Sequence, residues 1–241
     1  MPAPIVLVLK SSRSAAGAIA SEVNRCWPGY EIAVARSLRD ARDCLAARPV
    51  DWLLTGLGFD DGDALDLIRE VCGQRVPKVL VHTNRCAPRA LAWLLQWPVR
   101  GVFESHTEAA DALPAALGAL AQGERYFSES IRWARAHREQ SGLGVFAWLT
   151  ATEQIVLALI ASAFGVKETA ALLEMTDESV RDAVRHLHAK LGVHDTAQFI
   201  GEALRLGCVR RSPRGLAPVG LTLLRETWLS ARRKFRPVKR S

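Results

Sequence analysis

The sequence predicts an α/β domain with a parallel sheet, followed by a small all-α domain. Three observations carry that prediction. Residues 1–122 alternate short apolar runs with helix-like segments, the pattern of a parallel sheet covered by helices on both faces. Residues 149–209 carry helix start signals and helical apolar periodicity without a strand pattern. Between them, residues 123–148 read as a helical linker punctuated by Gly142 and Gly144. A chain of 241 residues has room for two domains, and a composition 49% hydrophobic and 24% charged is that of a globular protein.

In the first domain the apolar runs are Ile5 to Leu9, Tyr30 to Ala35, Val50 to Leu54, Val79 to Val81 and Val99 to Phe103. Helical stretches near residues 13–25, 38–47, 63–73, 86–96 and 107–121 make five strand–helix units. Such a sheet places a ligand site beyond the carboxyl ends of its strands, which directs attention to Leu9, Lys10, Ser11, Gly56, Thr83 and Ser105. In the linker, Ser128 followed by Ile131, Trp133 and Ala134 starts a helix, and Phe146 and Trp148 are expected to pack. The seven tryptophans are read as core residues, because no cationic stripe surrounds them.

The second domain opens with Thr150 and Glu153, a capping box, ahead of Ile155, Val156, Leu159 and Ile160 on one apolar face. A second helix is expected over Lys167 to Leu173. Thr176 caps a third, with Asp177 and Glu178 in its first turn, where the helix dipole favours negative charge. On this third helix Val180, Val184, Leu187 and Leu191 form a buried stripe, while Arg181 and Arg185 lie one turn apart on the solvent side. Helix, tight turn and helix with outward cations is the geometry that enters a DNA major groove. A fourth helix runs from Thr196 to Leu206 and ends at Gly207.

Charge is unevenly spread. The net charge is +7, yet residues 210–241 hold ten Lys and Arg against the single acid Glu226, so the tail carries +9 and the rest −2. After the breaks at Pro213 and Pro218, Leu221, Leu224, Trp228, Ala231 and Phe235 can line one face of a helix rich in Arg and Lys. Packing back on the protein, contacting phosphate, binding a partner and remaining a solvated tail are all open to it.

Catalytic and metal constellations are not evident. The histidines include no i, i+4 pair, the five cysteines form no C-x-x-C, and neither a Gly-rich phosphate loop nor a nucleophile elbow occurs. No enzyme activity, metal or cofactor is therefore expected. Asp60, Asp61 and Asp63 form a candidate metal loop, against which stands ordinary Asp-Gly turn chemistry. Lys10, Ser11, Ser12 and Arg13 can be read as an anion site or as a helix cap beside a solvated face. The scattered cysteines and the lack of a leader or of a long apolar run predict a cytoplasmic protein with reduced thiols and no membrane association.

The segment VDWLLTGLGFDDGDALDLI, the five strand–helix units, GERYFS after the fifth helix and the three-helix unit headed by LTATE resemble a LuxR-type (NarL/FixJ) response regulator over about residues 4–209. The resemblance implies a flavodoxin-like, five-stranded receiver domain (1–122), the linker (123–148), a four-helix LuxR-type helix-turn-helix domain (149–209) and a basic extension (210–241). Receivers hold Mg²⁺ with an acidic pair, phosphorylate an aspartate, and use a hydroxyl and a lysine beside it. Here Leu9 and Lys10 stand for the acidic pair, Gly56 for the nucleophile, Thr83 for the hydroxyl and Ser105 for the lysine, which describes a degenerate or pseudo-receiver. In the helix-turn-helix, the resemblance assigns base-edge contacts to Arg181, Asp182 and Arg185 and a phosphate contact to Lys190, with Thr176 and Ser179 at the helix start completing the set.

Departures are Ala163 and Glu174 in place of glycines, Thr169 in place of an isoleucine and Ala183 in place of a histidine. The expected function is a DNA-binding transcription regulator controlled without aspartyl phosphorylation. Its expected partners are double-stranded DNA and a second copy of itself, with RNA polymerase or another regulator as further candidates. The alternative is an antagonist that pairs with another regulator and does not bind DNA.

Overall fold

The computed structural model describes residues 3–74, 77–109, 111–213 and 215–234, the side chains of 233 and 234 excepted. Phe235, expected on the apolar face of the last helix, lies outside them. The chain divides into two compact units, Met1–Cys86 with Leu91–Arg138, and Ala87–Ala90 with Glu139–Ser241.

The elements of residues 1–138 are β1 (Ile5–Leu9), α1 (Arg13–Cys26), β2 (Glu31–Ala35), α2 (Leu38–Ala47), β3 (Trp52–Thr55), β4 (Gly58–Phe59), β5 (Gly62–Asp63), α3 (Leu65–Cys72), β6 (Lys78–Thr83), α4 (Pro88–Leu94), β7 (Gly101–Glu104), α5 (Ala112–Ala121), β8 (Tyr126–Phe127) and α6 (Glu129–Ala136). The main sheet has the order β2-β1-β3-β6-β7-β8 and is parallel throughout. The apolar runs of β1 and β3 are buried along their whole length, as a strand covered on both faces must be. On one face Trp27 packs at 5.0 Å from Trp52 and donates its indole N–H to Leu117 O at 3.0 Å, tying α1 to α5 over the sheet.

Five strands were expected in this sheet and, among the described residues, six are present. The sixth, β8, is two residues long and falls inside the stretch read as linker. It fits because Gly101 has no side chain: a Cβ there would stand 2.3 Å from Tyr126 O. A two-residue strand leaves no periodicity to detect.

Residues 139–234 form α7 (Val145–Trp148), α8 (Ala151–Ala161), α9 (Val166–Leu173), α10 (Asp177–Leu191), α11 (Thr196–Leu206), β9 (Val209–Ser212), β10 (Gly215–Pro218) and α12 (Leu221–Lys234). The described part of the basic extension is structured: β9 and β10 pair as an antiparallel hairpin, and α12 packs along α8 with Leu223, Leu224 and Trp228 buried. This explains α8, whose expected single apolar face proves too narrow. Leu157, Ala158 and Ala161 are buried together with Ile155, Val156 and Leu159, because α9, α10 and α11 cover one side and β10 and α12 the other.

Two expectations are corrected. Trp133 and Trp148 are 48% and 46% exposed instead of packed into a core; only their neighbours Ile131 and Leu149 are buried. On α10 the buried residues are Val180, Ala183 and Leu187, with Val184 and Leu191 only half-buried, because 3.6 residues per turn carries the buried stripe through Ala183. Among the described residues no helix is long and apolar enough to cross a membrane.

Candidate nucleic-acid interface and sheet-end cleft

Helix α10 is built to start sharply. The Thr176 hydroxyl accepts from Ser179 N at 3.2 Å and lies 2.8 Å from the Ser179 hydroxyl, so both of these site residues serve as the cap. The preceding turn, residues 174–176, places Glu174 at φ +49°, and the turn after α8 places Ala163 at φ +66°. These are the two positions where the sequence departs from an expected glycine, and each holds a left-handed backbone at a cost of about 1–2 kcal/mol for a residue with a Cβ. Thr169, in place of an isoleucine, is fully buried with no partner for its hydroxyl, a loss of about 1–3 kcal/mol.

The outward face of α10 carries Arg181 and Arg185, each among acids. Arg181 stands 3.8 Å from both Asp177 and Glu178; Arg185 reaches Glu178 at 3.3 Å and hydrogen-bonds Asp182. All five side chains are substantially exposed, where such pairs are worth about 0–1 kcal/mol, so the arginines can exchange partners cheaply.

Lys190 is held differently. Its ammonium donates to Glu153 at 2.8 Å and to Trp148 O at 3.2 Å. Glu153 is buried and also accepts from Thr150 N at 2.7 Å and Thr150 Oγ1 at 3.0 Å. Burial alone would raise the Glu153 carboxyl, but the hydrogen bonds from Lys190 and Thr150 outweigh it and hold the carboxyl below its ordinary value. Lys190 thus fastens the end of α10 to the start of α8, a structural role that its assignment to phosphate did not include.

The other predicted positions meet at the carboxyl end of the sheet. Leu9 is buried in β1 and offers no ligand atom. Thr83 Oγ1 donates to Arg85 O at 3.2 Å, and Ser105 Oγ donates to Thr83 O at 3.3 Å and Asn84 Oδ1 at 3.1 Å, so these hydroxyls fasten the loops. Lys10 reaches across Gly56: a Cβ on Gly56 would lie 3.6 Å from the Lys10 ammonium nitrogen. That ammonium is 3.0 Å from His82 Nδ1 and donates to His82 O. Burial lowers the Lys10 pKa to about 8, and burial with the Lys10 charge lowers His82 to about 4, so at neutral pH the pair is an ammonium beside a neutral imidazole.

The sequence reading missed His82, which lies 72 residues from Lys10 and carries no motif. Asp61 and Asp63, weighed as metal ligands, accept the backbone amides of Arg39 and Leu65 at 3.1 Å each, and no metal-binding cluster occurs among the described residues. Glu104, also missed, is buried and satisfied by Cys86 N and Ser130 Oγ, each at 2.6 Å.

No protein-family model matches the sequence, and no curated protein matches it. Solved structures do resemble it. RcsB from Salmonella enterica serovar Typhimurium, bound to the rprA promoter in the presence of a phosphomimetic, superposes with a TM-score of 0.59 at 20% identity over 83% of this chain and 98% of that one. A structure of two RcsB dimers bound to two parallel DNAs gives 0.55 at 20% identity over 85% and 100%. Another Salmonella typhimurium RcsB structure, describing conformational dynamism for DNA interaction, gives 0.56 at 21% identity over 86% and 99%. The fold is therefore that of a receiver-like parallel α/β domain followed by a helical region, similar to that of the RcsB response regulator.

Proposed function

We propose that the chain is a DNA-binding transcription regulator of the response-regulator type, controlled without aspartyl phosphorylation. The reading carries the division into a pseudo-receiver (1–122), linker (123–148), helix-turn-helix domain (149–209) and basic extension (210–241). Its main support is α10: a capped helix after a short turn that spends Val180, Ala183 and Leu187 on its own core and presents Arg181 and Arg185 to solvent. A guanidinium can bond guanine bidentately, worth about 1–3 kcal/mol of discrimination. In this reading Thr176, Ser179, Arg181, Asp182 and Arg185 face the groove, and Lys190 approaches phosphate from its place beside Glu153. Dimerisation falls to α11, where Phe199 and Ala203 are buried inside the unit and Ile200 and Leu204 stay partly exposed. RNA polymerase and other regulators remain candidate partners.

The test is a gel-shift titration with genomic fragments. Saturable, competitor-resistant shifts are expected, with sequence preference lost in Arg181→Ala/Arg185→Ala; equal preference in variant and parent refutes the contacts. Phosphorylation is tested separately. With no side chain on Gly56 and an ammonium beside it, incubation with a small phosphodonor is expected to add no phosphoryl mass to the first domain.

One observation favours a second reading. Asp177, Glu178 and Asp182 neutralise the face that would meet phosphate, as suits an antagonist that pairs with another regulator and does not bind DNA. Absence of any shift at low salt selects it.

A further inference from the structure

We propose that the cleft at the carboxyl end of the sheet in the first domain is a binding site for a small organic oxyanion, a phosphate- or carboxylate-bearing metabolite, held by the Lys10 ammonium. The cleft has a volume of about 380 Å³ and is lined by residues from the ends of β1, β3 and β6 and the start of α1. That size suits a metabolite.

Its charge is one-sided. The lining includes Lys10 and Arg85 and no aspartate or glutamate. At the rim, Arg36 donates to Ser11 O at 3.4 Å, adding a third cation. Helix α1 opens toward the cleft through Ser11, Ser12 and Ala15, and its first turn holds no acid to oppose an incoming anion.

Lys10 is the centre of the argument. An ammonium has three donors, and His82 takes two of them, through Nδ1 and its carbonyl oxygen. The remaining donor lies beside Gly56, which has no side chain of its own and where an added Cβ would stand 3.6 Å from the nitrogen. Lys10 forms no ion pair among the described residues, although burial penalises its charge. A partly buried cation without a carboxylate is the arrangement that an anionic ligand would complete. Leu57 and Phe59 supply an apolar wall, which selects for an organic body attached to the anion.

The experiment is calorimetric titration of the full chain, without DNA, with glycerol 3-phosphate, succinate, inorganic phosphate and uncharged glycerol as probes. Saturable binding of glycerol 3-phosphate or succinate above that of inorganic phosphate is expected, with no binding of glycerol. The stronger of the two names the anion as phosphate or carboxylate. Lys10→Met should weaken that binding by about tenfold or more, since it removes the central cation. Gly56→Asp, which supplies Lys10 with an internal carboxylate, should do the same. Circular dichroism checks that each variant is folded. No saturable binding of any anion at millimolar concentration, or equal binding in parent and Lys10→Met, overturns the proposal. Because DNA is absent, the result is independent of whether α10 reads a duplex.

Discussion

Replacing Lys10 with methionine should bring no stability to the first domain at neutral pH and should destabilise it further in alkali. Burial lowers the folded pKa from the ordinary 10.5 to about 8, which corresponds to about 3 kcal/mol spent on keeping the amine charged at neutral pH. Methionine fills similar volume without charge and removes that cost. It also gives up the ammonium's hydrogen bonds to His82 O and Nδ1, each worth about 1.5–3 kcal/mol net because the donor is charged. The loss offsets or exceeds the relief, so near neutrality the variant is no more stable than the parent.

The pH dependence follows from the direction of the shift. Between about pH 8 and pH 10.5 the unfolded chain holds the Lys10 proton and the folded chain has released it, so parent stability rises with pH across that window. From about pH 7 to pH 10 the parent gains about 2–3 kcal/mol, and the variant's deficit grows by that amount. Urea unfolding followed by circular dichroism at both pH values measures this. In a chain of two units the transitions can separate, and the one that moves belongs to the first. A difference independent of pH refutes the argument that a charge is buried over Gly56.

Two further predictions concern the second domain. Ala163→Gly and Glu174→Gly relieve left-handed backbones at φ +66° and +49° and should each raise stability by up to about 1 kcal/mol, glycine's own chain entropy offsetting part of the gain; thermal melts that fall would show that the turns are not strained. Trp228→Ala empties a buried contact between α12 and α8 and should cost about 3–5 kcal/mol, read by the same melts; a loss below about 1 kcal/mol would mean that the helix does not belong to this core.

Periodicity and caps made most of the architecture legible. Ser12, Thr150 and Thr176 each cap the helix that follows, and α2 and α11 begin and end where they are expected. Strand β8 and the β9–β10 hairpin were not legible, because two- and four-residue strands carry too few alternations. The place of α12 had a signal that went unused: Leu157, Ala158 and Ala161 are apolar away from the expected face of α8, which requires a covering element. At the cleft, the strand-end rule and the resemblance to receivers directed attention to Lys10 and Gly56, but the Lys10–His82 pairing is a product of parallel strands β1 and β6 lying two apart in the sheet.

The acids on α10 also bear on thermodynamics. A protein cation that neutralises a DNA phosphate releases a condensed counterion, and affinity then falls steeply with salt, at about 0.9 logarithmic steps per phosphate. Helix α10 brings Asp177, Glu178 and Asp182 along with its two arginines, and Lys190 arrives already joined to Glu153. The helix carries its own fixed counterions. If it enters a groove it will displace fewer mobile ions than its cations would suggest, leaving its share of the affinity insensitive to ionic strength and weighted toward the bases.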